Sequence, residues 1–345
     1  LFFNHKGDLV KTILTTLVCS ISLALSCATT AHAQEYKERT IRFGHLVNKD
    51  HPISAGVRKF AELVEKGSGG KIKVKEFPSA QLGAEQQQQA ALQGGTQDMT
   101  VGATSAAVGV VKELGLLDFP FLFATEQQAD QLLDGPVGRK LLDRFEPKGT
   151  IGLVYWDNLF RNVTNSRHPV KTVADLAGLK IRVQQSPIYM GVFKELGTNP
   201  VPMSFAELFT ALETRTVDAQ ETPYPLIYSN RFYEVQKYLA VTRHSYSPLV
   251  VQFSKKVWDG MSPAEQKLIR ESITAARDFQ RIVSREEDVK SFAGLKAKGM
   301  EVTTFNEAER EKMKATAKPA VDRLLGEYDP ALVKEFMAEV ARVTR

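Results

Sequence analysis

Thr40-Ile41-Arg42-Phe43-Gly44-His45-Leu46-Val47 places Ile41, Phe43, His45 and Val47 two residues apart, the period of a strand with one buried face. Val57, Phe60, Ala61 and Val64 follow at helical spacing, and Gly67-Ser68-Gly69-Gly70 ends that helix. Residues 71–77 alternate again, with Ile72 and Val74 on the buried side. A strand, a helix and a second strand within 40 residues form a βαβ unit, which points to an α/β fold with parallel strands covered by helices.

The same alternation continues outward from this unit. Residues 86–92 read as helical, 98–101 as extended, 126–145 as one strong helix and 150–156 as a strand. A second set begins near Arg161, with a strand at 179–183, helices at 188–196 and 205–212, and strands at 238–242 and 249–253. Ser262-Pro263-Ala264-Glu265 combines an N-cap, a proline at the first helical position and a capping-box glutamate. The helix it opens carries an apolar stripe through Ile269, Ile273, Ala276, Phe279, Val283 and Phe292. At about 30 residues it would reach ~45 Å, longer than one lobe, so it is expected to brace two.

Residues 1–33 read as a secretory leader. Lys6 and Lys11 precede an uncharged run over residues 13–27, shorter than the ~20 residues a membrane span needs, and Ala31-His32-Ala33 is a small-x-small cleavage site. Cleavage after Ala33 would remove both cysteines, Cys19 and Cys27, and leave a chain without thiol or disulfide chemistry. The expected localisation is periplasmic. The 45 Lys and Arg against 40 Asp and Glu give a net charge of only +5, spread along the chain, which argues against a nucleic-acid surface.

Catalytic signatures are absent from the sequence: it has no G-x-S-x-G, H-E-x-x-H or C-x-x-C pattern. Residues 67–71 lack the spacing of a phosphate loop, and His45, Asp50 and His51 match no standard metal spacing, so neither a metal nor a cofactor is expected. Two arginines remain, Arg161 in Leu159-Phe160-Arg161-Asn162 and Arg182 next to the end of a short strand. Open α/β sheets bind ligands at the carboxyl ends of their strands, and a guanidinium grips a carboxylate with two parallel hydrogen bonds. Spacing alone leaves each arginine open to two readings, a ligand contact or a structural ion pair.

Phe77-Pro78-Ser79-Ala80-Gln81-Leu82-Gly83, Gly178 to Val183 and Val217-Asp218-Ala219-Gln220-Glu221-Thr222-Pro223 occur in this order. Together with Asp118-Phe119-Pro120-Phe121-Leu122-Phe123 and Tyr233-Glu234-Val235-Gln236-Lys237-Tyr238, they resemble the DctP-type solute-binding proteins of tripartite ATP-independent periplasmic (TRAP) transporters. The resemblance implies a two-lobe periplasmic-binding-protein-like fold with a cleft between the lobes, crossover strands and a long helix bracing both. The expected layout is a signal peptide at 1–33, first lobe at 34–157, second lobe at 158–246, a return to the first at 247–261, the bracing helix at 262–298 and C-terminal helices at 299–345.

The same resemblance implies that Arg182 pairs with a substrate carboxylate, that Arg161 assists and that Phe205 packs on the ligand. Glu85 falls near a polar ligand-contacting position, and His45, Asn48, Ser186, Tyr224 and Tyr246 are further candidates by location. Relatives often carry Asn where this chain has Thr222, which changes or removes a contact; Thr222 is either a ligand contact or a helix N-cap before Pro223. The function implied is an extracytoplasmic receptor, not an enzyme, that as a monomer hands a small carboxylate to TRAP membrane permease subunits. Polar candidates favour a sugar acid such as a uronate over C4-dicarboxylates, keto acids or pyroglutamate. Sialic acid, bound by some relatives, is not carried over. A sensory receptor and a periplasmic enzyme on organic acids are the rival readings.

Overall fold

The computed structural model describes residues 36–345; the leader and cleavage site expected over residues 1–33 lie outside them. The chain runs β1 (Arg39–Gly44), α1 (Pro52–Gly67), β2 (Ile72–Phe77), α2 (Glu85–Gly94), β3 (Met99–Ala103), α3 (Glu126–Leu133), α4 (Pro136–Asp143) and β4 (Thr150–Asn165). It continues through β5 (Lys180–Val183), α5 (Pro187–Glu195), β6 (Asn199–Pro202), α6 (Leu208–Glu213), β7 (Ala219–Thr222), α7 (Tyr224–Ser229) and β8 (Tyr238–Ser254). Then follow α8 (Lys255–Trp258), α9 (Pro263–Ala297), β9 (Glu301–Thr304), α10 (Glu307–Leu325) and α11 (Pro330–Val343).

The strands form one nine-stranded sheet in the order β2-β1-β3-β8-β4-β7-β5-β6, with β9 also on β8. The opening βαβ unit forms as its periodicity requires: β1 pairs parallel with β2, and α1 buries Ile53, Val57, Phe60 and Val64 on one face. Phe43 meets Phe60 edge to face at 5.8 Å, with Trp156 at 6.3 Å. In the other half, β5 pairs parallel with β6 and β7. Pro200 and Pro202 lie on β6 at the end of the strand order, where missing N–H donors discourage further pairing.

The parallel reading fails at the centre. β4 and β8 are 16 and 17 residues long, pair antiparallel and run through both halves, so the molecule is a two-lobe α/β fold sharing two crossover strands. The expected strands at 238–242 and 249–253 are one strand, and the one at 150–156 continues to Asn165. Every residue of β4 is buried, so neither face shows the alternation by which a strand is recognised. The expected helix at 126–145 is two helices. Pro136 cannot donate to a continuing helix and instead starts α4, with Gly135 as its N-cap.

The bracing helix forms as expected, over Pro263–Ala297 from the Ser262 capping box, but its inner face is not apolar throughout. Ile269, Ile273 and Ala276 are buried, yet Phe279 is 36% exposed, and Gln280, Arg281 and Ser284 are buried beyond it. The reason lies in β4. Between Asp157 and Phe160 the register slips, so that Asn158 and Leu159 stand opposite Ser247 alone, with Leu159 at φ 74°. Asp157 stands opposite Pro248, which has no N–H to donate, and outside the Asn162–Asn165 stretch that pairs with β7, and Gln280 supplies its partners: its Oε1 accepts from Asp157 N at 2.9 Å and its Nε2 donates to Asp157 O at 2.8 Å. Arg285 donates to the Asp157 carboxylate at 2.8 Å, and the Tyr246 hydroxyl donates to it as well.

Gln280→Ala leaves both backbone groups of Asp157 buried and unpaired, and is expected to cost about 2–4 kcal/mol of stability in urea denaturation. Ile282→Ser, on the exposed side of the same helix, is expected to change stability by less than about 0.5 kcal/mol.

Candidate functional site

A cleft enclosing about 470 Å³ between atoms, counted out to solvent, lies where the two halves meet. Leu46, Val47, Ile53, Glu85 and residues 101–103 line it from the half that holds β1 and β3. Arg161, Arg182, Gln184, Phe205, Thr222 and Leu226 line it from the half that holds β5 and β7, and Asn158 and Leu249 come from the crossover strands. Hydrogen bonds bridge the two walls: Ser204 Oγ to Glu85 Oε2 at 2.9 Å, Asn48 Nδ2 to Ser229 O at 2.8 Å, and the pairs Gln86–Gln185 and Ser105–Gln184.

Arg161 owes its position to two irregularities in the β4–β8 pairing. The bulge at Asn158 and Leu159 precedes it, and after it β8 loops out through residues 241–244, so Arg161 pairs with Ser245 between two breaks. Its guanidinium is engaged by protein groups. Nε and Nη2 bond the Glu221 carboxylate (Nη2–Oε1 2.9 Å), Nη2 also reaches the Glu221 carbonyl, and Nη1 reaches Ser247 Oγ at 3.3 Å. With its amide turned to satisfy both neighbours, Gln184 accepts from Arg161 and donates to Ser105. Glu221 also contacts His244 Nε2 at 3.2 Å.

These groups are fully buried, and their charges follow from competing effects. Burial pushes the Glu221 carboxyl up, but the Arg161 pair and the His244 hydrogen bond outweigh it and hold Glu221 below the usual carboxylate range. Burial dominates at His244 and pushes the imidazole down, so it is neutral at pH 7.

Arg182 differs. It is the penultimate residue of β5, 2% exposed, and its Nε and Nη2 both donate to the Met203 carbonyl, at 2.9 and 2.7 Å. Among the described residues, buried Nη1 has no hydrogen-bond partner and no carboxylate touches the group. Burial pushes its pKa down to about 10, with Arg161 pushing the same way against Glu221, Glu85 and Glu207, so the guanidinium stays charged at pH 7. Phe205 lies with its ring centroid 6.0 Å from the guanidinium carbon. Thr222 Oγ1 is the second buried polar atom of this wall without a partner. Pro223 stands between Thr222 and α7 as its N-cap, without a side-chain cap, so the N-cap role weighed for Thr222 is not the one it fills.

Arg161, Arg182, Phe205, Thr222 and Glu85 thus meet at one cleft. The other five residues singled out in the sequence do not line it, because their side chains are taken up by protein partners. His45 Nε2 contacts Glu76 at 2.9 Å, and Asn48 bonds Ser229. Ser186 caps α5 and donates to Asp118 at 2.7 Å. Tyr224 packs on Phe292 at 4.9 Å, and Tyr246 bonds Asp157. Gln184 and Asn158 line the cleft without having been singled out. Gln184 lies two residues beyond Arg182 on the same strand exit, a spacing that carries the signal. Glu221 stands in the quoted motif, but nothing local marks it as the partner of Arg161. Among the described residues no group of acidic, histidine and cysteine side chains is arranged to hold a metal ion.

Two α/β halves sharing crossover strands, braced by one helix and enclosing an arginine-bearing cleft, define the class of two-lobe solute-binding proteins. The chain belongs to the bacterial extracellular solute-binding proteins, family 7 (DctP), whose model matches residues 43–327. It is 43% identical over 266 residues to the 2,3-diketo-L-gulonate-binding periplasmic protein YiaO of Escherichia coli, covering 77% of this chain and 81% of that one. The crystal structure of a sugar acid binding protein from Advenella mimigardefordensis, in complex with galactonate, superposes with a TM-score of 0.88 at 41% identity, over 90% of this chain and all of that one. The C4-dicarboxylate-binding periplasmic protein DctP of Rhodobacter capsulatus is 30% identical over 339 residues, 96% of this chain and 100% of that one.

The Arg161–Glu221 pair makes stability depend on acid. A carboxyl held below its unfolded value of about 4.3 adds stability above that pH and loses it as pH falls through the folded value. The melting temperature of the wild type is expected to fall steeply below about pH 4. The double variant Arg161→Met, Glu221→Gln is expected to fall less. Arg161→Met alone leaves Glu221 buried and unpaired, at a cost of about 3–5 kcal/mol in denaturant titration at pH 7.

Proposed function

We propose that this protein is the extracytoplasmic solute receptor of a TRAP-type secondary transporter, and that it captures a sugar acid and passes it to the membrane permease without chemical change. The observation that carries this reading is Arg182, a buried guanidinium at the wall of a cleft whose Nη1 group has no partner and which no carboxylate contacts among the described residues. Such a group is costly to bury unless a ligand anion completes it. A carboxylate there would accept from Nη1, stack beside Phe205 and reach the free Thr222 hydroxyl. Glu85 and Gln184 would serve ligand hydroxyls, while Arg161 would shape the pocket from within its ion pair. The galactonate complex of the Advenella protein and the diketogulonate-binding relative support a polyhydroxylated acid, with a hexuronate as the leading candidate.

In this reading residues 1–33 are a leader cleaved after Ala33, and no helix among the described residues is long and apolar enough to cross a membrane. Among the described residues the first lobe runs to 157 and the second spans 158–246, with the chain returning to the first over 247–261. The lobes part and close about the break in β4 at Asn158 and Leu159.

A thermal-shift screen of the purified protein against galacturonate, glucuronate, galactonate, diketogulonate, succinate and pyruvate tests the proposal. A true ligand at a hundred times its Kd adds about 2.7 kcal/mol of stability. Absence of any shift, with the protein first unfolded and refolded to free it of carried-over ligand, would count against it. For the acid that binds, Arg182→Ala is expected to raise Kd more than tenfold by calorimetry, since loss of one partner of a buried charge pair costs about 2–5 kcal/mol. Equal affinity in the variant would remove Arg182 from the site.

A further inference from the structure

The ionisable side chains that line the cleft are Glu85, Arg161 and Arg182. Their charges are not equally available. Arg161 is held by Glu221 through two carboxylate contacts and a backbone carbonyl, and His244 on the far side of Glu221 adds no charge at pH 7. The Arg161–Glu221 unit therefore lines the cleft with its charge already matched and its donors already engaged by protein groups. Among the described residues Arg182 is bonded only to a carbonyl oxygen, and its positive charge has no contacting counter-ion there. Glu85 stands at the first turn of α2, with Oε2 accepting from Ser204 and Oε1 without a hydrogen-bond partner among the described residues. Glu207, at the turn before α6, is a further carboxylate acting on Arg182. The cleft thus has one positive charge to be matched and a carboxylate on the wall facing it.

Resting on the sugar-acid reading above, we propose that Glu85, with Glu221 behind Arg161, sets the charge of the ligand, so that the cleft takes a polyhydroxylated acid with one carboxylate and rejects its dicarboxylate counterpart. One carboxylate neutralises Arg182. A second would enter a cleft whose lining holds no further unmatched cation among the described residues and would be repelled by Glu85, whose second oxygen is an acceptor suited to a hydroxyl. The family includes receptors named for both kinds of ligand, so the fold itself does not decide between them.

The test is calorimetry at pH 7.5 with galactonate and galactarate, which share an open six-carbon hydroxylated chain and differ only at C6, a primary alcohol in one and a carboxylate in the other. The readout is the ratio of their affinities within each protein, so a general weakening caused by a substitution cancels. Wild type is expected to favour galactonate more than tenfold. Glu85→Gln removes the charge and keeps an acceptor, and is expected to reduce that preference at least fivefold; Glu85→Lys is expected to reverse it. Equal or tighter binding of galactarate by the wild type overturns the proposal, as does an unchanged ratio in both Glu85 variants, and in either case the receptor reading stands. Failure of the wild type to bind galacturonate, galactonate and galactarate alike overturns the sugar-acid reading and this proposal with it.

Discussion

The antiparallel pairing of β4 with β8 runs through both halves of the molecule, and the rest of the architecture is arranged around it. Each half hangs its own parallel strands on this pair, β3, β1 and β2 on one side and β7, β5 and β6 on the other. A ladder of 16 and 17 residues that was regular throughout would leave no cleft and no freedom between the halves. The bulge at Asn158 and Leu159 interrupts it, and the backbone of Asp157 beside it is paired by Gln280 on α9. This explains why the bracing helix turns a polar face inward at its middle, and why Arg281 and Arg285 gather on Asp157 and the neighbouring Asp130.

The same break positions the chemistry. Arg161 lies just past the bulge, and its side chain is taken up by Glu221 on β7, leaving Arg182 on β5 as the cation whose charge is unmatched. Two arginines of similar appearance thus play different parts. Arg161 belongs to a buried ion pair that builds the wall, and Arg182 belongs to the space in front of it. The asymmetry is one of contact: a guanidinium bound to a carboxylate is electrically complete, and one bound to a peptide carbonyl is not.

Much of this was legible in the chain before folding. The β1–α1–β2 unit, the start of α9 and the position of Arg182 near the end of β5 each depend on residues within a few positions of one another, and each forms as read. Crossover strands were legible only through the family resemblance, because burial on both faces removes their alternation and because Asp157, Asn158 and Asn162 interrupt any apolar run. The break between α3 and α4 was available in Gly135-Pro136 but was overridden by the apolar period on either side. His45, Asn48, Ser186, Tyr224 and Tyr246 were placed near the site by location alone, and nothing local told that each would face a partner elsewhere in the fold.

The sequence by itself determined the α/β class, the family, the helix caps and the residue types available for gripping an acid, because periodicity, capping and turn formation are governed by short-range free energies. Tertiary structure alone decided which polar side chains remain free. Arg161 and Glu221 are 60 positions apart, and Asp157 and Gln280 are 123 apart. They meet only because sheet register and helix packing bring them together, and burial then makes each pairing strong enough to remove its members from the ligand's reach. What is left unpaired at the cleft wall, Arg182 Nη1 and Thr222 Oγ1, is a remainder of that long-range pairing, which no local pattern in the chain encodes.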